Sequence, residues 1–259
     1  DAVVSAGADN VGTLAGNMLL PTFGIAGSAD IGTDVGVAIL DSGIVYHDQI
    51  PVAAFYDFLR GGAKVKQYDN YGHGTHGAGA IRNKDDKSDA PYRSVAPGSR
   101  LIGMKVLAAD GSGYSSNVIS ALEFAIVNKQ ALKIDVINLS LGHPIYEAAA
   151  TDPLVRAVER AVAAGIVVVV AAGNEGLNRS TGEIGYAGIS SPGNAPSAIT
   201  VGAVDTNNTL TRADDEVAPF SSRGPTWYDQ YAKPDVVAPV RRVVSFMAKD
   251  SYLYKNYPG

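Results

Sequence analysis

Two histidines, His73 and His76, stand three residues apart in the glycine-rich stretch GHGTHGAG. On a helix that spacing puts both imidazoles on one face, where they could share a metal ion. One imidazole could instead act as a general base, because its ordinary pKa of ~6.5 leaves a neutral ring available near pH 7. The plainest alternative is a turn and helix start whose glycines only permit close packing. Zinc would need three or four ligands, and the chain has neither an H-E-x-x-H pattern nor any cysteine, so carboxylates would have to complete such a site. Two further residues could join His73 in chemistry: Asp41 in LDSG and Asn174 in AGNEG. An Asp closing a strand before a Gly turn serves as readily in an Asx turn or as a metal ligand as in catalysis. An Asn between glycines is often a turn residue that tolerates positive φ, although its amide can also donate to an oxyanion.

These residues must be held by the elements around them. Apolar runs without polar alternation occupy residues 35–40, 101–107, 136–139, 166–172, 199–204 and 236–238, which predicts parallel strands covered on both faces. Between them lie helical patterns. Ser115 or Ser116 caps one with Val118, Ile119, Leu122, Ala125 and Ile126 at i, i+3, i+4 spacing. Thr151 or Asp152 caps another, with Pro153 in its first turn, a stripe of Leu154, Val155, Val158, Ala161 and Val162, and Gly165 as its stop. Strand and helix alternating in this way predict an α/β fold, a doubly wound and mostly parallel sheet in a single domain over residues 1–259. Asp41, Ser140 and Asn174 fall just beyond the carboxyl ends of three of the strands, where such sheets gather function.

Composition narrows the classes. Hydrophobic residues at 46% against 18% charged fit a folded globular chain and exclude a disordered one. A net charge of −5, with basic runs no longer than Arg241-Arg242, argues against nucleic acid as a partner. The longest apolar run, 166–172, is far short of the ~20 residues that span a bilayer and reads as a buried strand. Absence of cysteine removes disulfides and thiolate chemistry without fixing the compartment. The opening Asp1-Ala2-Val3, with no initiator Met or signal segment, reads as a processed or excised piece of a longer precursor.

VAILDSGI, GHGTHGAG, VINLSLG, VVVVAAGN, FSSRGP and KPDVVAP resemble, in this order, the successive signature segments of the subtilisin-like serine proteases, over about residues 35–239. Asp41 and His73, 32 residues apart, match that family's Asp-to-His spacing. The resemblance implies a three-layer α/β fold with helices on both faces of the sheet. It also implies a secreted serine endopeptidase of broad specificity that acts on polypeptides and requires no cofactor. His73 would be the general base, Asp41 its orienting carboxylate, Asn174 the side-chain oxyanion donor and His76 a structural neighbour. Ser140-Leu141-Gly142 would pair with extended substrate, Gly111-Ser112-Gly113 would form the facing edge, and Ala172 and Gly173 would complete the substrate-binding set.

The family's nucleophile lies in a Gly-Thr-Ser-Met-Ala segment that opens a long buried helix, and the 259 residues contain no such segment. The resemblance places it at or beyond Gly259. Ser245 has no Gly-Thr before it, Ser251 lies in a Tyr-rich polar stretch, Ser221 and Ser222 belong to FSSRGP, and Ser42 sits beside Asp41 on the wrong loop, so none replaces it. Two expectations follow. The chain is the amino-terminal part of an active protease, partnered by a propeptide or by its missing C-terminal segment; or it is a truncated, inactive domain that binds peptide or self-associates through the groove the missing helix leaves. Calcium is compatible with the three carboxylates of NKDDKSD at 83–89, but two interleaved lysines make this a solvated charged turn and no recognisable ion loop supports binding.

Overall fold

The computed structural model describes residues 19–84, 93–240 and 243–257. Strand β1 (Gly36–Asp41) lies at the centre of one sheet, paired in parallel with β4 (Arg100–Lys105) on one side and β5 (Val136–Leu139) on the other. Beyond β4 come β2 (Val52–Asp57), parallel, and the two-residue β3 (Ala63–Lys64), antiparallel. Beyond β5 come β6 (Val167–Ala171) and β7 (Ile199–Asp205), both parallel. β7 also pairs with the antiparallel β8 (Glu216–Val217) and the parallel β9 (Val236–Pro239). All six strands predicted from apolar runs are present, whereas β2 was not foreseen. A register irregularity between Val52 and Ala54 breaks its apolar pattern.

From β1 the chain winds outward to β2 and β4 on one side and later to β5, β6 and β7 on the other, so its direction of travel reverses at the carboxyl end of β1. Such a switch point opens a crevice, and Asp41 stands at its edge. Alternation along β1 explains its layers. Ala38 and Leu40 pack with α3 (Ser115–Leu132) and α4 (Pro153–Ala163), while Val37 and Ile39 pack with Ala78 and Ile81 of α2 (His73–Ile81) on the opposite face. The result is a three-layer α/β fold, completed by two short helices, α1 (Leu19–Thr22) and α5 (Tyr252–Asn256). No described helix is long and apolar enough to cross a membrane.

The signals for α4 act locally and hold. Asp152 accepts from Leu154 N at 2.8 Å and Val155 N at 3.3 Å, Pro153 opens the helix, and Gly165 leaves it at φ +80°. For α3 the expected serine cap is corrected: Ser115 is already helical, and the cap position is Tyr114, with no side-chain bond. The reading of 166–172 as a buried strand is corrected as well. In β6, Val168 and Val170 are buried against α3 and α4, but Val167 is 47% exposed and Val169 is half-buried. On the other face α2 covers β1 and its neighbours, and among the described residues no long helix lies over β5, β6 and β7.

Candidate active site

Helix α2 starts at His73 and is steered by Asp69, a carboxylate only 6% exposed in the loop before it. Asp69 Oδ1 accepts from Tyr71 N at 3.1 Å, Gly72 N at 2.8 Å and the Ser42 hydroxyl at 3.0 Å. Its Oδ2 accepts from Thr75 N at 3.0 Å and Thr75 Oγ1 at 2.6 Å. The Ser42 hydroxyl accepts in turn from Gly74 N at 3.0 Å, so the loop after β1 and the first turn of α2 form one hydrogen-bonded unit. Gly74 is required there, because a Cβ would collide with the carbonyl of Gly43 and press on Asp41.

This unit sets His73 against Asp41. His73 Nδ1 lies 2.8 Å from Asp41 Oδ2 and 2.9 Å from Oδ1, while Ser42 N donates to Asp41 Oδ1 at 2.6 Å. An ionised carboxylate can only accept, so the imidazole carries its proton on Nδ1 and keeps Nε2 as a free lone pair. The Asp41 side chain is 3% exposed and that of His73 26%, which leaves an accessible ring on a buried carboxylate. The negative charge of Asp41 raises the His73 pKa above the ordinary value, against the opposing effect of burial.

His76, one turn on, has a different partner. Its Nε2 lies 3.1 Å from the carbonyl of Val243 and must donate to it; the residue keeps an exposed edge, but the packing around its ring lowers its pKa. The two imidazoles do not share a site. Among the described residues no group of three or more His, Asp or Glu side chains is arranged to hold a metal ion. Residues 85–89 of the acidic turn lie outside the described residues; Asn83 N is bonded to the Ser94 hydroxyl at 2.7 Å.

Two clefts meet at His73. One of about 330 Å³ is floored by β6 and β7 and lined by Ser140, Leu141, Gly142, Ala172, Gly173 and Asn174. The other, of about 600 Å³, runs between Ser140-Leu141-Gly142 and the facing Gly111-Ser112-Gly113, with Tyr71, Tyr114 and Tyr146 on its walls. Asp41, Asn174 and the segments 111–113, 140–142 and 172–173 thus lie around the His73 imidazole, whereas His76 does not. Ser221 and Ser222 build the Asn174 loop: Ser222 N donates to Gly173 O at 3.0 Å, Glu175 N to the Ser222 hydroxyl at 3.0 Å, and Ala203 N to the Ser221 hydroxyl at 2.9 Å. Ser245 donates to the carbonyl of His76 at 2.7 Å, and Ser251 caps α5. Among the described residues no serine hydroxyl is hydrogen-bonded to His73 Nε2.

The family model for the Subtilase family matches residues 32–256. The chain belongs to the subtilase family. It is 42% identical over 231 residues to serine protease AprX of Bacillus subtilis (strain 168), covering 86% of this chain and 50% of that protein. It is 37% identical over 226 residues to subtilisin DY of Bacillus licheniformis, covering 87% of this chain and 71% of that one. The chain therefore spans about half the length of AprX. Among solved structures, the S41 psychrophilic protease superposes with a TM-score of 0.73 at 29% identity, over 92% of this chain and 77% of that one. Sphericase does so with a TM-score of 0.67 at 30% identity, over 85% and 70%.

Sequence reasoning did not single out Asp69 and Thr75, which hold the two loops together in this subtilase, weighed Ser42 only as a nucleophile and passed over Lys105. A signal was present for Lys105, a lone cation inside the apolar run LIGMKVL, since a charge in a buried strand must be paired.

Proposed function

We propose that this chain supplies the substrate clefts, the general base and the oxyanion donor of a secreted serine endopeptidase of broad specificity. The observation that carries the reading is the two-oxygen contact of Asp41 with His73 Nδ1 at the meeting point of two clefts. With Nδ1–H held by Asp41, Nε2 takes the proton of a serine hydroxyl as its oxygen attacks the scissile carbonyl. The carbonyl oxygen becomes an anion, stabilised by the Asn174 amide. When the tetrahedral centre collapses, the C–N bond breaks and the imidazolium returns its proton to the departing amine. Water then repeats the sequence on the acyl-enzyme. The serine is the one in the family's Gly-Thr-Ser-Met-Ala segment, which these 259 residues do not contain. Backbone pairing of an extended polypeptide between Ser140-Leu141-Gly142 and Gly111-Ser112-Gly113 selects little by side chain, which favours broad specificity. Polypeptide substrates agree with the relatives named as a subtilisin and a serine protease.

The test is labelling by a fluorophosphonate of the full-length protein that contains this domain. Covalent label on one serine, lost in His73→Ala, supports the endopeptidase; a folded full-length protein that takes no label and cleaves no peptide rejects it. The uncovered apolar face of β6 and β7 favours a second reading, a non-catalytic domain that binds peptide or self-associates through it. A monomeric 259-residue chain with no peptide affinity, by sedimentation and calorimetry, rejects that reading.

A further inference from the structure

Lys105 ends β4 directly across the sheet from Asp41, and its side chain is wholly buried. A buried ammonium must spend its three N–H groups on acceptors, and this one does. Nζ donates to the carbonyl of Ser42, to the carbonyl of Leu107 at 2.7 Å and to Asn70 Oδ1 at 2.9 Å. The three acceptors lie on three segments that converge on the site. Ser42 follows Asp41, Asn70 lies in the loop that delivers His73, and Leu107 leads from β4 to the Gly111-Ser112-Gly113 edge. Around the cation stand the carboxylates of Asp41, Asp57 and Asp69, with the ring of Tyr68 at 5.1 Å. Burial lowers the Lys105 pKa while those three carboxylates raise it.

We infer that Lys105 is a positioning residue for the Asp41–His73 pair, clamping the two loops that carry them and offsetting the surrounding negative charge. A plain packing role would be served by an apolar side chain, whereas this position holds a charged one whose donors are all committed to loops bearing the site. The inference rests on the general-base reading of His73. Without Lys105 the loops lose a charge-assisted tie, and His73 faces an acidic surround with no cation behind it.

The test uses the 259-residue chain with Lys105→Met, checked for folding by circular dichroism. Nuclear magnetic resonance reads the solvent exchange of the His73 Nδ1 proton and the titration of its ring. Exchange should speed up by about tenfold or more, as expected for loss of one charged hydrogen bond of ~1.5–3 kcal/mol. The ring's titration midpoint should move upward. A folded Lys105→Met with both readings at wild-type values overturns the inference, since a role in stability alone lowers the melting temperature and leaves them unmoved. Should Lys105→Met not fold, Asn70→Ala decides: it removes one acceptor and keeps the cation, so exchange should speed up with the midpoint unchanged, and unchanged exchange overturns the inference. Failure of the endopeptidase reading would look different, as absent labelling of the full-length protein with these His73 readings intact.

Discussion

On the α2 side of the sheet, the half built from β1, β2 and β4 is sealed under Ala78 and Ile81, while the half built from β5, β6 and β7 forms the floor of an open cleft. All six residues of β1 are buried; in β6 buried positions alternate with one exposed and two half-buried ones. The sealed half holds the Asp41–His73 pair, whose geometry is fixed by Ser42, Asp69, Thr75 and Gly74. The open half carries Asn174 and Ser140-Leu141-Gly142, which line the cleft. On the proposed reading, proton handling sits in the hydrogen-bonded half and binding in the open one.

Substitutions in the sealed half should be the more severe for chemistry. On the endopeptidase reading, Asp41→Asn in a protein that joins this chain to a nucleophile segment should lower kcat by about 10⁴-fold, the size seen when a triad carboxylate is neutralised. It should also shift the acid limb of kcat/KM to lower pH, because the charge that raises the His73 pKa is gone. Asn174→Ala, in the open half, should cost about 10²–10³-fold in kcat with KM little altered, the range known for loss of one such donor in subtilisin. Steady-state kinetics against pH on both variants would sharpen or erase the contrast.

Stability should divide along the same line. Ile39→Ala, which empties a site 1% exposed under α2, should destabilise by about 2–5 kcal/mol in urea unfolding. Val169→Ala, on the half-buried floor, should cost under about 1 kcal/mol. The smallest effect concerns the two histidines. The His73 pKa is raised on folding, so its contribution is present below ~6.5 and is lost as pH rises through the folded value. The His76 pKa is lowered, so its contribution is present above ~6.5 and is lost as pH falls through the folded value. Over about pH 5 to 8, His73→Gln should make stability rise more with pH and His76→Gln less, measured as urea midpoints.

What could be read from the sequence follows how local each cause is. The cap, first turn and stop of α4 are written in Asp152, Pro153 and Gly165, within one short segment. The pairing of Asp41 with His73 was legible through a spacing of 32 residues that belongs to a family pattern. The exposure of Val167 was not, because an apolar run states only that a face can be buried, and what covers it is decided by distant segments. Asp69 and Lys105 escaped for the same reason. Each has near partners, but the ties that join separate segments, from Asp69 to Ser42 and from Lys105 to Asn70 and Ser42, span 27 to 63 residues of sequence, which no periodicity reports.

The central claim is that Asp41 makes His73 a base with its proton fixed on Nδ1. Titration of the His73 ring by nuclear magnetic resonance, in the 259-residue chain and in its Asp41→Asn variant, tests it most directly. The wild-type midpoint should lie above ~6.5 with a slowly exchanging Nδ1 proton, and the variant's midpoint should fall below the wild-type value with that proton exchanging faster. Identical midpoints and exchange in two folded proteins would contradict the claim.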